Sequence, residues 1–363
     1  MPPSTVAVHA GQLLQPVPGG IGRYVRSLIA ALPGEGVRPV PFAAGPRPAG
    51  LTGSWTDIGS PSGSVRYELW HRLRRPVLRV DAEIVHATSL AVPPARGRPL
   101  VVTVHDLVFL RQPEHLTPRG VSFHRRGLEL ARNEASAVIV PTAWSRDDLL
   151  TEGFDPDRVH VALHGVEVGN APSADDAAAV LARLGARPPF ILFASTIEPR
   201  KGVLDLLAAH RALSQTHPEL GLVLAGPQGW GDVPDLDGAG VVATGHVADH
   251  ELDVLYRSAV ALAHPARYEG FGMQVAEAMS RGCPVVTTDA ASLPEVAGGA
   301  ADLVPVGDVD ALAGALLRLV DDDAHRAGRA AAGIARARAL TWEASAAAHV
   351  AAYTAAVDVG PRS

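Results

Sequence analysis

The sequence predicts an α/β protein of two doubly wound domains, each a parallel sheet covered by helices on both faces. Short β-branched, apolar runs alternate with helical patterns along the whole chain, which is typical of parallel strands buried on both sides. The 363 residues are enough for two ordinary domains, each with its own core. A stretch containing glycine, asparagine, proline and serine, residues 166–189, interrupts the strand pattern at mid-chain.

Six strands are predicted in each half. In the first half they are STVAVHA, RPVPFA, AEIVHA, PLVVTVHD, SAVIVPT and RVHVALHG, and in the second FILFAS, GLVLAG, GVVATGHV, AVALAHP, PVVTTD and ADLVPVG. We therefore predict domains at 1–169 and 170–341. Residues 342–363 form an amphipathic helix and tail that could pack on either domain, including back on the first. A single eight-stranded barrel fits the two differing halves less well.

Composition excludes several classes of function. Apolar residues make up 47% of the chain and charged residues 19%, as in soluble globular proteins. The net charge of −6, without a basic tract interleaved with aromatics, argues against nucleic-acid binding but leaves a nucleotide ligand open. The start of the chain lacks signal-peptide features, no apolar run reaches the length of a membrane span, and Cys283 is the one cysteine. These observations predict a cytoplasmic protein.

The segment TIEPRKG, residues 196–202, holds the chain's one lysine among 32 basic residues. It follows a predicted strand, and ligands of open α/β sheets bind beyond the carboxyl ends of strands. Arg200 and Lys201 place a planar fork beside a compact ammonium group, a pair suited to a diphosphate. A solvated helix start is the alternative, but cations there oppose the helix dipole.

A second motif, HPARYEGFGMQVAEAM, spans residues 264–279 and follows another predicted strand. Its glycine turn opens a helix, whose first backbone N–H groups favour an anion. Glu269 lies in the turn, and Glu277 lies eight residues further on, inside the helix. Because phosphate would repel carboxylates, we expect both to accept hydrogen bonds from sugar hydroxyls. Taken alone, Glu277 would be interpreted as an exposed helix residue.

These two motifs, together with GGIGRYVRSL, VTVHDL, VIVPTAWSRDDLL and TGHVADHELDVLYRSA, resemble a family 4 glycosyltransferase of the GT-B fold over nearly the whole chain. The resemblance implies two Rossmann-like domains facing each other across a cleft. The N-terminal domain would bind the acceptor, and the C-terminal domain would bind a nucleotide diphosphate sugar.

The resemblance also implies individual roles. Arg200 and Lys201 would bind the donor diphosphate, Glu277 the ribose hydroxyls and Glu269 the donor hexose. His105 would contact the donor sugar and complete a catalytic set with Arg200, Lys201 and Glu269. The other implied donor contacts are Gly20 and Gly22 near the diphosphate, His246 and Val247 at the base, and Gly270, Phe271 and Gly272 through backbone N–H groups.

We therefore expect a retaining hexosyltransferase that acts on a hydroxyl of a glycan, lipid-linked or small-molecule acceptor. No metal or cofactor is expected, since the cations and the helix start would stabilise the leaving diphosphate. TIEPRKG together with LAGPQGWGD looks most like the mannosyl- and rhamnosyltransferases of the family, and this resemblance makes GDP-mannose the first choice of donor, ahead of UDP- and TDP-sugars. The sequence also leaves open a non-catalytic nucleotide-sugar-binding protein and a sugar-nucleotide epimerase or phosphorylase of the same fold.

Three further patterns receive plainer interpretations. The glycines of PVPGGIGRYV do not match the G-x-G-x-x-G spacing of dinucleotide-binding loops. The acidic runs DLD, 235–237, and DDD, 321–323, are interpreted as solvated carboxylates rather than metal ligands. A basic helix is predicted at residues 66–80; it could contact the inner face of a membrane, although an ordinary surface helix is the preferred interpretation.

Overall fold

The computed structural model describes residues 2–229, 236 and 238–362. The chain divides into two compact units, one of residues 1–165 with 342–363 and one of residues 166–341. The first unit therefore ends four residues before the predicted position, 169. The C-terminal helix is part of the first unit.

All strands of the described chain pair in parallel, in one open sheet per unit. The strands are β1 Thr5–His9, β2 Arg38–Ala43, β3 Thr56–Asp57, β4 Ile84–Ala87, β5 Leu100–Thr103, β6 Ala137–Val140, β7 Val159–Val161, β8 Phe190–Ala194, β9 Gly221–Ala225, β10 Val241–Gly245, β11 Ala261–His264, β12 Val285–Thr288 and β13 Asp302–Val304. Twelve of them match the predicted strands. The additional one, β3, is a two-residue edge strand for which the sequence predicts no strand.

The helices cover both sheets. They are α1 Gly19–Ala31, α2 Gly63–Leu73, α3 Val108–Arg111, α4 Pro118–Glu134, α5 Ala143–Leu150, α6 Ala174–Leu184, α7 Val203–Leu213, α8 Asp249–Ser258, α9 Met273–Ser280, α10 Leu293–Ala297, α11 Val309–Asp321, α12 Asp323–Ala337 and α13 Trp342–Val359. The central strands β4, β5, β6, β8, β11 and β12 are buried along their whole length, as in the doubly wound α/β fold that the sequence predicts.

Strand order fixes where a site can form. The first sheet runs β3-β2-β1-β4-β5-β6-β7 and the second β10-β9-β8-β11-β12-β13. The direction of winding reverses between β1 and β4, and again between β8 and β11. Loops diverge at such switch points and leave a crevice beyond the carboxyl ends of the two strands. Residues that follow β8 and β11 are therefore placed side by side.

The last helix, α13, contributes to the core of the first unit. Its buried side chains recur at helical spacing and form one stripe: Trp342, Ser345, Ala346, His349, Ala352, Tyr353 and Ala356. The stripe faces α1, β5 and β6. The His349 and Tyr353 rings of this stripe make their hydrogen bonds inside the core.

The basic helix is shorter than predicted. It ends at Leu73 rather than Val80, and Arg74 follows in the left-handed conformation, φ 50°. Trp70 and Arg66 are buried, and the Arg66 guanidinium donates to the carbonyls of Ile58, Gly59 and Pro61. In the described parts of the chain, no helix is long and apolar enough to cross a membrane.

Candidate active site

The two motifs that the sequence singled out meet at the β8/β11 switch point. Pro199–Lys201 forms a 3-10 turn after β8, and α7 follows it. Gly202 joins turn and helix at φ +69°, and a Cβ on it would lie 2.0 Å from the carbonyl oxygen of Pro265, just after β11. The Arg267 amide also donates to the Arg200 carbonyl at 2.8 Å. Position 202 therefore needs glycine, because a side chain there would push apart the two loops, which are in contact.

Glu269 is the centre of a buried charge cluster. Its Oε1 pairs with the Lys201 ammonium and lies 3.0 Å from His264 Nε2, while Oε2 lies 3.5 Å from Arg200 Nη1. The Lys201 side chain is 8% exposed, that of Glu269 10% and that of His264 0%. Arg200 also donates to the Tyr268 carbonyl at 2.8 Å and to Glu198 Oε1 at 2.7 Å. The two cations are thus held in place by acceptors on both loops.

The protonation states of the cluster follow from these contacts. Burial alone would raise the pKa of Glu269, but Lys201, the His264 hydrogen bond and Arg200 hold that pKa well below its usual value. Burial lowers the pKa of His264 despite the opposing carboxylate. Glu269 is therefore ionised at neutral pH, and neutral His264 donates its Nε2 proton to it. A cluster of this kind in a crevice is a functional-site candidate.

The glycine turn positions the start of α9 beside the cluster. Gly272 caps the helix at φ +83°, where a Cβ would lie 2.7 Å from Leu293. Ser292 Oγ donates to the Glu269 carbonyl at 2.8 Å and fixes the turn from the other side. No acidic residue lies in the first turn of α9, so the positive end of its dipole is not compensated within the turn. Gly270, Phe271 and Gly272 thus lie where an anion would be stabilised.

Glu277 is buried on α9 and accepts a hydrogen bond from the Tyr256 hydroxyl at 3.1 Å. The interpretation as an exposed helix residue is therefore wrong. The helical spacing did not reveal this, because Tyr256 lies on α8 and contacts Glu277 only in the folded unit. Arg281 covers the Tyr256 ring, with 5.6 Å from its guanidinium carbon to the ring centroid.

The predicted base-binding segment lies apart from this cluster. His246 is exposed and Val247 buried, directly after β10, the edge strand that β9 separates from β8. The segment LAGPQGWGD, residues 224–232, continues into Trp230, Gly231 and Asp232, which lie outside the described residues. Asp235 and Asp237 of the DLD run also lie outside them. In the other acidic run, Asp322 caps α12 by accepting from the His325 amide at 2.9 Å.

In the first unit, His105 follows β5 and is held by the first sheet. Its Nε2 lies 2.9 Å from the Thr88 carbonyl, and its ring packs edge-on against Tyr24 at 4.9 Å between centroids. Burial lowers the pKa of His105, against the opposing effects of Thr88 and Asp106. The neutral ring must donate from Nε2, because a carbonyl can only accept, and Nδ1 is then an acceptor.

Gly20 and Gly22 lie in the first turn of α1. A Cβ on Gly22 would lie 2.2 Å from Pro18 Cβ, and the Gly22 amide donates to the Pro18 carbonyl at 3.1 Å. Glycine is therefore required by the loop's own packing. The two glycines and His105 belong to the first unit, whereas Arg200, Lys201, Glu269 and Glu277 belong to the second.

A buried hydrogen-bond chain connects the first sheet with α13. Every link is 2.7–2.9 Å long: Tyr353 hydroxyl to His86 Nδ1, His86 Nε2 to Thr103, Thr103 to Tyr24, Tyr24 to His349 Nε2, and His349 Nδ1 to the Ser345 carbonyl. The carbonyl at the end fixes the tautomer of His349 and so the direction of every proton in the chain. The sequence pattern did not reveal that these residues form a hydrogen-bonded chain. It did not reveal the role of His264 either, although the position of His264 at the end of a strand could have indicated it.

Comparison with known proteins gives two family matches that together span most of the chain. Residues 18–170 match the family model described as Glycosyltransferase Family 4, and residues 188–322 match the model described as Glycosyl transferases group 1. The chain is 30% identical over 292 residues to O-antigen chain mannosyltransferase B of Escherichia coli, covering 76% of each protein. It is 32% identical over 306 residues to MMP alpha-(1->4)-mannosyltransferase of Mycolicibacterium hassiacum, covering 77% of this chain and 72% of the relative.

Solved structures share the fold over almost the whole length of the chain. Anabaena HepE in complex with UDP-glucose has a TM-score of 0.72 at 20% identity, covering 96% of this chain and 98% of its own. Sucrose-phosphate synthase from Thermosynechococcus elongatus has a TM-score of 0.71 at 22% identity, covering 95% and 96%. At these identities the likeness concerns the fold alone.

Proposed function

The chain belongs to glycosyltransferase family 4 and is a glycosyltransferase of the GT-B fold, and on this premise we propose that it transfers mannose from GDP-mannose to a hydroxyl acceptor with retention of anomeric configuration. The names of the two relatives above, both mannosyltransferases, support mannose as the sugar. The observation that carries the proposal is the pair Arg200 and Lys201, held by Glu269 at the switch point beside the start of α9.

The chemical step requires stabilisation of the charge that grows on the leaving GDP. Lys201 supplies a compact cation, Arg200 a planar fork, and the first turn of α9 a positive dipole end. These groups are ordered before the donor arrives, and preorganised electrostatics of this kind often supply the largest part of catalysis. The proposed reaction therefore needs neither a metal ion nor a bound cofactor.

The ion pairs of Glu269 argue against its acting as a nucleophile. Lys201, Arg200 and His264 all approach its two carboxylate oxygens, so its negative charge is already shared. We infer that Glu269 positions Lys201 and accepts a hydroxyl of the donor hexose. Retention then follows from attack on the same face that the leaving group departs from, and the departing phosphate accepts the proton of the acceptor hydroxyl.

Two further residues complete the proposed donor contacts. One carboxylate oxygen of Glu277 accepts a hydrogen bond from the Tyr256 hydroxyl, and the same carboxylate is the proposed acceptor of hydrogen bonds from the ribose hydroxyls. His105, neutral with Nδ1 as an acceptor, is the proposed partner of a hexose hydroxyl. His246 and Val247 remain the proposed base contacts, with Gly20 and Gly22 near the diphosphate.

A donor panel tests the proposal. The protein is incubated with GDP-mannose, UDP-glucose and a TDP-sugar, and both thermal stabilisation and nucleotide release are measured. We expect the largest effects with GDP-mannose and their loss in Lys201→Ala and Glu277→Ala. Lys201→Arg, which keeps the charge on a larger head, should retain partial binding without turnover. Full turnover in Lys201→Arg, or unchanged nucleotide affinity in both alanine variants, would show that the site is misassigned.

A further inference from the structure

A groove in the first unit lies between α2 and α4, and none of the residues that line it is proposed to bind the donor. It has a volume of about 680 Å³, enough for a sugar-sized ligand. Its lining comes from the two helices and the residue before α4: Ser64, Tyr67, Glu68, His71, Arg72, Thr117, Arg119, Gly120, Ser122, Phe123 and Arg126. Helices of a doubly wound unit run antiparallel to the strands, so the start of each helix lies toward the carboxyl edge of the sheet. The groove therefore reaches the edge where ligands of such sheets bind.

The floor of the groove is aromatic. The rings of His71 and Phe123 stack at 4.6 Å with 14° between their planes, and Tyr67 lies 6.2 Å from Phe123. A Cβ on Gly11 would lie 2.3 Å from the Tyr67 hydroxyl, so glycine at that position leaves room for this ring. A floor of aromatic rings with polar groups at the rim is the usual lining of a small-molecule site.

The α4 wall carries positive charge that nearby acids do not neutralise. Arg119, Phe123 and Arg126 are spaced four and three residues apart and share one helix face. Among the residues that the structure describes, neither guanidinium group makes a hydrogen bond or an ion pair. On the opposite wall, by contrast, Arg72 pairs with Glu68.

The position of Arg119 at the start of α4 adds to the positive charge of this wall. Arg119 lies in the first turn of α4, which contains no acidic residue, so its charge adds to the positive end of the helix dipole. A cation at a helix start is unfavourable unless an anion compensates it. The charge of Arg126 also acts on His71 in the floor of the groove. Burial lowers the pKa of His71 to about 4, and the charges of Arg74 and Arg126 contribute to that lowering.

We propose that this groove binds the acceptor through an anionic group, that the acceptor is a sugar or polyol carrying a phosphate, and that Arg119 and Arg126 are the phosphate ligands. The assignment rests on the proposed transferase function, which requires a hydroxyl acceptor. Guanidinium forks match phosphate oxygens in pairs, and the aromatic floor accommodates the ring of the sugar or polyol.

The helix supplies its own control. Arg125 lies next to Arg126 in sequence but faces another groove, which it lines with Glu129 and Glu152. Arg125→Gln therefore removes the same charge from the same helix without touching the proposed site. All three arginines are exposed, so neither Arg125→Gln nor the double variant Arg119→Gln/Arg126→Gln should disturb folding, and thermal unfolding checks this.

The soluble probe is glucose 6-phosphate, titrated calorimetrically beside neutral glucose. We expect glucose 6-phosphate to bind at least tenfold more tightly than glucose, the double variant to lose at least tenfold of that affinity, and Arg125→Gln to change it less than twofold. Lys201→Ala should leave it unchanged. The proposal is overturned if Arg125→Gln weakens binding as much as the double variant, or if only Lys201→Ala does so, since the phosphate would then occupy the donor site.

The lipid probe is a vesicle of phosphatidylglycerol, compared with phosphatidylcholine in a sedimentation assay. If the protein sediments with the anionic vesicle, and the double variant loses this binding while Arg125→Gln keeps it, the phosphate belongs to a lipid. If only glucose 6-phosphate binding shows this pattern, the phosphate belongs to a soluble acceptor. If neither probe binds in a manner sensitive to the two arginines, the proposal is wrong. GDP binding, measured in the same variants, reports separately on the donor site.

Discussion

The ion pair between Lys201 and Glu269 should be strongly coupled, because both side chains are buried. Lys201→Met keeps the length of the side chain and removes its charge, which leaves a buried carboxylate. Removing one partner of a buried pair costs about 3–5 kcal/mol. Arg200 still lies 3.5 Å from the carboxylate and compensates it in part. We therefore expect a loss near the lower limit, about 3 kcal/mol in the free energy of unfolding.

The double variant Lys201→Met/Glu269→Gln shows how much of the lost stability comes from the interaction between the two side chains rather than from each side chain separately. Removing both charges leaves no uncompensated ion, so the double variant should be more stable than the sum of the single losses predicts, by about 2 kcal/mol. Urea unfolding followed by circular dichroism measures this. Each transition is fitted separately, since a chain of two units need not unfold in one step.

An exposed pair in the same unit provides the comparison. Arg267 and Asp205 lie 2.8 Å apart, but the Arg267 side chain is 39% exposed. Exposed pairs contribute about 0.2–1 kcal/mol, so the cycle Arg267→Met/Asp205→Asn should show little coupling. If the Lys201–Glu269 cycle gives a coupling no larger than this one, the argument from burial is refuted.

Three other predictions concern the scaffold. Gly202→Ala, which would place a Cβ 2.0 Å from the Pro265 carbonyl, should unfold at least 2 °C lower than Gly185→Ala, an estimate of about 1 kcal/mol extra cost; Gly185 has a similar φ, +70°, and room for a Cβ, so equal melting temperatures would contradict the close-contact argument. Tyr24→Phe removes the hydroxyl that donates a hydrogen bond to His349, and it should lower the free energy of unfolding in urea by about 1–3 kcal/mol. An unchanged free energy of unfolding would show that the buried hydrogen-bond chain does not contribute to stability. Burial lowers the pKa of His349 to about 4, so the unfolded chain binds more protons than the folded one below its ordinary pKa of 6.5; His349 should therefore remove about 1–2 kcal/mol of stability between pH 7 and 5, and replacing it with glutamine should flatten that slope.

Much of the fold was predictable because parallel strands buried on both faces leave a plain pattern of apolar runs. The same reasoning placed Lys201 and Glu269 after strands, and strand order then explains why they meet. The sequence does carry a signal for the end of α2, because Arg75 precedes a proline and that position disfavours helix. The two-residue strand β3 had none, because so short a strand has no periodicity.

Contacts between distant segments could not be predicted in this way. Tyr24 and His349 are 325 residues apart, and their hydrogen bond depends on where the last helix docks. The helical stripe on α13 indicates that one face is buried but not against which sheet. The burial of Glu277 is similar, since its partner Tyr256 comes from another helix. Such side chains become informative only when the packing of the helices is known.

The most direct test of the central claim is a thermal-shift measurement of nucleotide-sugar binding. It compares the wild-type protein, Lys201→Ala and Glu277→Ala in the presence of GDP-mannose, UDP-glucose and a TDP-sugar. The account predicts that GDP-mannose stabilises the wild-type protein most, and that each substitution removes most of that stabilisation while the variant stays folded. Stabilisation that persists in both variants, or no stabilisation of the wild-type protein by any of the three donors, would contradict it.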